Sequence, residues 1–159
     1  MTIEVRAATK HDALVISSLN ADVQAIHADA LPWRFKRPGP DTFTPRHAEQ
    51  LLSRPGHVAL LAHVDQTPAG YAVAEILHHP ETASHFAHGM VYVHQISVRP
   101  AVRRRGVGRA LMDAIKAHGQ ARGISLLALD AWTFNAQALA FFRAYGLVPY
   151  NIRLWNKTD

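Results

Sequence analysis

The sequence predicts a mixed α/β fold with a central sheet of six or seven strands. Three observations lead there. Apolar residues alternate at a period of two in several short segments, helical stripes with start and stop signals separate them, and one strand–helix–strand unit occupies the second half of the chain. With 159 residues, 48% of them hydrophobic, the chain fits one compact domain over residues 1–159 that has enough apolar content for a core.

Taken in order, "IEVRAA" alternates as a strand, and "TKHD" resembles a capping box opening a helix with Val15, Leu19, Val23 and Ile26 along one stripe. "DALPWRFKRPGPDTF" is rich in Pro and Gly, irregular, and long for a passive connector. Thr44 as N-cap and Pro45 at the first helical position start a short helix ending near Ser53, and "HVALLAHV" follows as a strand. "DQTPAG" is a turn and "YAVAEIL" alternates again, which makes a hairpin. "HHPETASHFAHG" reads as a polar loop and "MVYVHQISV" as a further strand.

Arg109 to Arg122 is helical, with Leu111, Ala114, Ile115 and Ala117 facing inward and Gly123 as the left-handed cap. "ISLLALDAW" is nearly continuously apolar, the mark of a strand covered on both faces, so the unit closes as a right-handed crossover with a parallel pair. Asn135 caps a helix to Tyr145, Gly146 ends it, and "LVPYNIRLW" is a last strand. No internal repeat or low-complexity tract interrupts this order.

Composition removes several function classes. No apolar run approaches the roughly 20 residues of a membrane span, and "MTIEVRAATK" lacks the apolar region of a signal peptide, so the expected address is cytoplasmic, with no membrane partner. The absence of cysteine excludes disulfides, thiolate metal sites and a cysteine nucleophile. A formal charge of +5 favours an anionic ligand.

That charge concentrates in "VRPAVRRRGVGRAL", residues 98–111, where three arginines and two glycines precede a helix. A helix N-terminus offers unpaired N–H groups and the positive end of the macrodipole, glycines let backbone approach a ligand, and arginines add forked donors for phosphate oxygens. The stretch suits an anion cradle; the lesser alternative is an exposed basic loop whose glycines only turn the chain. It is neither a dinucleotide fingerprint, because Leu111 stands where a third glycine is needed, nor a Walker A loop, because Gly-Lys-Ser/Thr is absent.

Arg103-Arg104-Arg105-Gly106-Val107-Gly108 resembles the Gln/Arg-x-x-Gly-x-Gly/Ala signature of the GNAT superfamily of acetyl-CoA-dependent N-acetyltransferases. "ISVRP" before it and "NAQALAFFRAYGL" after it are similar to flanking segments of that family, so the likeness covers about the C-terminal half. The resemblance implies a mostly antiparallel sheet flanked by helices, with a splayed parallel pair that receives acetyl-CoA as cosubstrate. Ile96, Ser97 and Val98 would take the pantetheine arm, through the backbone of Ile96 and Val98. Arg103, Arg104, Arg105, Gly106, Val107, Gly108 and Arg109 would hold the pyrophosphate, Asn135 would hydrogen-bond the cosubstrate, and Phe142 would stand against it. An ordinary N-cap explains Asn135 as well.

Acetyl transfer to an amine needs a free amine and a proton for the leaving thiolate. With a lysine-like pKa of ~10.4, deprotonation at pH 7 costs about 4.6 kcal/mol, while protonating a thiolate of pKa ~8.5 is worth about 2 kcal/mol, so the base matters more. The resemblance puts the base near His94 and Gln95 on the strand before the loop. His94, Glu75 on the preceding strand, and water are the candidates. The family's acid, a tyrosine four residues before the helix-ending glycine, is replaced here by Phe142. Tyr145, a helical neighbour, water, or the acceptor's own proton are the alternatives. A backbone donor near Gln95 and Ile96 would stabilise the oxyanion.

His78, His79, His85 and His88 are close in sequence but lie in one loop without helical spacing, so no metal site is expected. No Gly-x-Ser-x-Gly turn supports a serine mechanism, and no reader module supports nucleic-acid binding. The expected substrate is a primary amine of a small molecule or peptide. A noncatalytic coenzyme-A-binding sensor on the same fold is the rival. The loop Leu31 to Phe43, with Trp33, Arg34 and Phe35, either closes over the acceptor or is a surface loop pegged by Trp33. The apolar final strand permits a homodimer.

Overall fold

The structure is a computed structural model and describes residues 1–158. Period-two alternation becomes one sheet of five strands in chain order: β1 (Ile3–Ala7), β2 (His57–Val64), β3 (Thr67–His79), β4 (His88–Val98) and β5 (Leu127–Leu129). The first four pair antiparallel, and β4 with β5 parallel. Four α-helices flank them: α1 (Ala13–Ala30), α2 (Pro45–Leu52), α3 (Val107–Gln120) and α4 (Ala136–Tyr145).

Local signals explain the boundaries. The Thr9–Asp12 capping box closes the turn into α1, and Thr44 caps α2 with Pro45 behind it. Asp65 and Gln66 join β2 to β3 with φ of 47° and 69°, the doubly left-handed pair whose twist matches a two-residue hairpin. Asp65 is held there because its carboxylate accepts the Thr2 amide at 2.7 Å.

The sheet is buried on both faces. On one, Leu60, Ala72, Ala74, Val91 and Val93 meet Leu111, Met112 and Ile115 of α3. On the other, Leu61, Tyr71 and Val73 meet Ile16 and Leu19 of α1 and Ala48 and Leu51 of α2. Leu111, Met112 and Ile115 are fully buried, each worth about 1.5–3 kcal/mol of transfer free energy. A methyl group at Gly119 would overlap the Val91 side chain, so glycine there sets how closely α3 approaches β4.

Four expectations need correction. The sheet has five strands, not six or seven. Residues 147–155, expected as a last strand, carry no regular structure, and Val148, Tyr150, Ile152 and Leu154 are exposed. Their alternation is real, but β5 is only three residues long and no partner pairs with them among the described residues. The run "ISLLALDAW" accordingly yields a short strand with Leu126 exposed beside it. Finally, His78, His79 and His88 belong to paired strand ends rather than to a loop, and the His79 and His88 rings stack at 4.7 Å. Among the described residues no helix is long and apolar enough to cross a membrane.

Candidate active site

The site begins where the parallel pair stops. β4 and β5 pair only from Val91 opposite Leu127 to Val93 opposite Leu129, and β4 then runs on to Val98 with that edge open. Between the parted strands lies a cleft of about 270 Å³, lined by His94, Gln95 and Ile96, by Leu129–Trp132 with Asn135 and Phe142, and by Asn20, Val23, Gln24 and His27 of α1.

Ladder geometry decides what the open edge offers. The Arg99 amide donates to the Ala69 carbonyl at 2.8 Å, so by antiparallel alternation Ser97 and Gln95 bond toward β3. Ile96 and Val98 therefore turn their backbone groups outward. Consistent with this, the Val98 carbonyl accepts from the Arg103 guanidinium at 3.0 Å. Ser97 faces the other way, its hydroxyl donating to the Leu19 carbonyl of α1 at 2.8 Å.

A β-bulge shapes the middle of β4. Val73 faces Gln95 but Ala74 faces Val93, so His94 is the inserted residue. Gln95 turns to the α1 side, where its carbonyl oxygen accepts from the Tyr71 hydroxyl at 2.8 Å, and Asn20 donates to that hydroxyl at 2.9 Å. Burial holds the Tyr71 hydroxyl well above its usual pKa, so it stays a neutral donor. His94, redirected by the bulge, reaches Glu75 of β3, with Nε2 to Oε2 at 2.8 Å. Both sequence-derived base candidates thus meet. A third residue joins them that sequence reasoning missed: His57 stacks on His94 with ring centres 5.2 Å apart and Nε2 3.8 Å from Glu75. The only signal was a histidine opening a strand, and strand register is not written locally.

The arginine and glycine stretch is an irregular turn into α3. Arg104 has φ of 61°, and Gly106 at the N-cap has φ of 93°, which favours glycine. None of the six amides from Arg104 to Arg109 makes a well-formed hydrogen bond to another described residue. Gly108 has a packing reason, since a Cβ would stand 3.1 Å from the Phe141 ring.

The remaining candidates divide. Asn135 caps α4, its Oδ1 accepting the Ala138 amide at 3.1 Å, and also lines the cleft. Phe142 lines the cleft and is buried. Tyr145 is not part of the lining. Its hydroxyl donates to Asp113 of α3 at 2.7 Å, the Arg109 guanidinium lies over its ring, and burial with the Asp113 bond pushes its pKa up to about 12.

One mouth of the cleft is aromatic. Phe35 stacks on His27 at 5.0 Å and meets Trp132 edge-on at 5.4 Å, while Trp33 packs on Trp155 at 5.3 Å. The Arg34 guanidinium lies over the Phe35, Trp132 and Trp155 rings. The 31–43 segment is thus anchored to the cleft wall by aromatic contacts. Burial lowers the pKa of His27, favouring its neutral ring there.

The profile of the Acetyltransferase (GNAT) family matches residues 20–147. The chain belongs to the GNAT acetyltransferase family. Solved structures share its fold. A mutant of the BH1408 protein from Bacillus halodurans superposes with a TM-score of 0.91 at 22% identity, covering 98% of this chain and 99% of that one. Aminoglycoside acetyltransferase AAC(6')-Iy, in complex with a bisubstrate analogue of coenzyme A, gives 0.73 at 19% identity over 100% and 99%. A ribosomal-protein-alanine N-acetyltransferase from Brucella melitensis gives 0.73 at 22% over 99% and 100%. At such identities the likeness carries the GNAT fold and not the substrate. No curated protein sequence matches the chain.

Proposed function

We propose that the chain transfers the acetyl group of acetyl-CoA to a primary amine of a small molecule or peptide, in the cytoplasm. The observation that carries the proposal is the row of six amides at the start of α3 that make no well-formed hydrogen bond among the described residues, set among Arg103, Arg104, Arg105 and Arg109 and following the open edge of β4. Amides from Arg104 to Arg109 and the guanidinium groups hold the diphosphate. The outward backbone groups of Ile96 and Val98 take the pantetheine arm as an added strand, the Arg103 guanidinium giving up the Val98 carbonyl. Bound there, acetyl-CoA supplies an activated thioester.

The chain's own residues then handle the protons. A carboxylate only accepts, so the 2.8 Å contact places a hydrogen on His94 Nε2 and leaves the neutral ring's lone pair on Nδ1. Nδ1 takes the proton from the acceptor amine, and Glu75 stabilises the resulting imidazolium. The outward Ile96 amide donates to the oxyanion. The departing thiolate takes its proton from water or from the acceptor, a step worth only about 2 kcal/mol at a thiol pKa of ~8.5. Phe142 has no proton, and the Tyr145 hydroxyl is committed to Asp113. The exposed apolar residues of the 147–155 tail support a homodimer, which light scattering tests.

Calorimetry with acetyl-CoA, followed by thiol release across an amine panel, tests the proposal. Binding and amine-dependent release are expected. Absence of binding even in dilute buffer sinks it. Binding without turnover on any amine instead favours the coenzyme-A-binding sensor, the reading that the missing cleft tyrosine supports.

A further inference from the structure

Glu75 stands between two imidazoles. Its Oε2 lies 2.8 Å from His94 Nε2 and 3.8 Å from His57 Nε2. The ligand-type atoms of the three residues lie within 4.8 Å of one another. Register brings this about: His57 and Glu75 are direct partners across β2 and β3, and the bulge swings His94 onto the same face.

With both rings neutral, hydrogen counting leaves the centre of the trio without a donor for His57 Nε2. The Pro55 carbonyl, 3.2 Å from His57 Nδ1, can only accept, so Nδ1 carries the hydrogen. In a neutral ring Nε2 then bears a lone pair, and it points at a carboxylate with nothing to donate. The His57 side chain is 9% exposed, and its Nε2 has no hydrogen-bond partner among the described residues. A lone pair on a side chain nine-tenths buried, set 3.8 Å from a carboxylate oxygen, is stabilised by a cation between them.

We propose that His57 Nε2, His94 Nε2 and Glu75 Oε2 bind one divalent transition-metal ion of the zinc class. Two imidazoles and a carboxylate form an open zinc ligand set with bonds of about 2.0–2.2 Å, which puts ligand atoms of a tetrahedral site roughly 3.3–3.6 Å apart. The observed 2.8 and 3.8 Å bracket that spacing. Mg²⁺ and Ca²⁺ are poor fits because they require oxygen shells. The Pro55 carbonyl on His57 Nδ1 is the outer contact that orients a ligand ring. On binding, the hydrogen on His94 Nε2 leaves as a proton. Of the three, His94 also lines the cleft. One consequence rests on the acetyl-transfer reading: an ion on His94 and Glu75 immobilises the base, so zinc inhibits turnover.

Co²⁺ titration of the metal-free, full-length chain tests the site without reference to activity. One equivalent is expected to produce visible d–d absorption, displaced by Zn²⁺. With one of three ligands removed, His57→Ala and Glu75→Gln should each weaken Co²⁺ binding at least ~100-fold, the upper range for loss of an outer-shell contact. His57→Gln, checked for native circular dichroism, guards against misfolding. His79→Ala, which breaks the stacked pair at the far end of β3 and β4, should leave the band unchanged. No band at stoichiometric Co²⁺ overturns the proposal. A band that survives His57→Ala, or is lost in His79→Ala, also overturns it. Acetyl-CoA calorimetry on the metal-free chain is an independent readout, so failure of acetyl transfer leaves the metal result standing and the reverse holds too. Where turnover is present, equimolar Zn²⁺ should suppress it in the wild type and not in His57→Ala.

Discussion

The starts of α3 and α4 are prepared in opposite ways. At α4, Asn135 turns its side-chain oxygen onto the Ala138 amide and closes the first turn upon itself. At α3, Gly106 has no side chain to give, and six consecutive amides make no well-formed hydrogen bond among the described residues. Thr44 closes the start of α2 in the same way, and ahead of α1 Thr9 and Asp12 close a short 3-10 turn. Capping satisfies orphan donors locally and contributes to stability, whereas an uncapped start keeps them for a ligand. The contrast sets the self-closed starts of α2 and α4 against the open start of α3.

The contrast breaks most directly if a carboxylate is placed at the open start. Gly106→Asp should cut acetyl-CoA affinity by ~100-fold or more, on the order of 2.7 kcal/mol, in calorimetry. Gly106→Asn carries the same left-handed backbone strain without the charge, and it should lose about tenfold less. If both fall equally, strain rather than charge closes the site. Next, the double variant Arg104→Ala, Arg105→Ala should weaken binding about tenfold at 0.01 M ionic strength. That loss should shrink at 0.15 M, where the screening length falls from about 30 Å to about 8 Å.

The closed starts predict effects on stability instead. Arg6 and the Thr9 amide hold the Asp12 carboxyl far below the usual carboxylate range, the Arg6 bonds being the larger cause. A lowered folded-state pKa means that this stabilisation is complete above the unfolded value near 3.8 and is lost as pH falls through the folded one. Asp12→Asn should therefore lose about 1–2 kcal/mol at pH 7, with the gap to wild type narrowing as pH drops below about 3.8 in thermal melts. Smallest is Asn135→Ala, at about 1 kcal/mol or roughly 2–4 °C in Tm. Unchanged acetyl-CoA affinity in that variant would mark Asn135 as a cap alone, whereas a drop would place its amide nitrogen on the ligand.

Much of this was legible in the sequence because the signals are local. Thr44-Pro45, Asn135, Gly146 and the arginine and glycine turn each act within a few residues, and each stands where its spacing predicted. What was not legible depends on pairing between distant segments. The alternation of Val148, Tyr150, Ile152 and Leu154 is a strand pattern, but a strand exists only beside another, and β5 is too short to offer an edge. His57 reaches Glu75 through cross-strand register, and His94 reaches it through a bulge that no residue type announces. Tyr145 shows the limit of helical spacing: it lies one turn from Phe142, yet its hydroxyl points to α3.

The inserted residue at His94 also sets how this chain can change. Substitutions along β4 alter one side chain at a time. Deleting a single residue at the bend would restore regular alternation and turn over one arm of the strand, exposing Ile96 to the α1 side and driving Ser97 into the α3 side. Libraries that vary identity at 94 and 95 should therefore yield folded, altered catalysts, while libraries that vary length there should yield almost none.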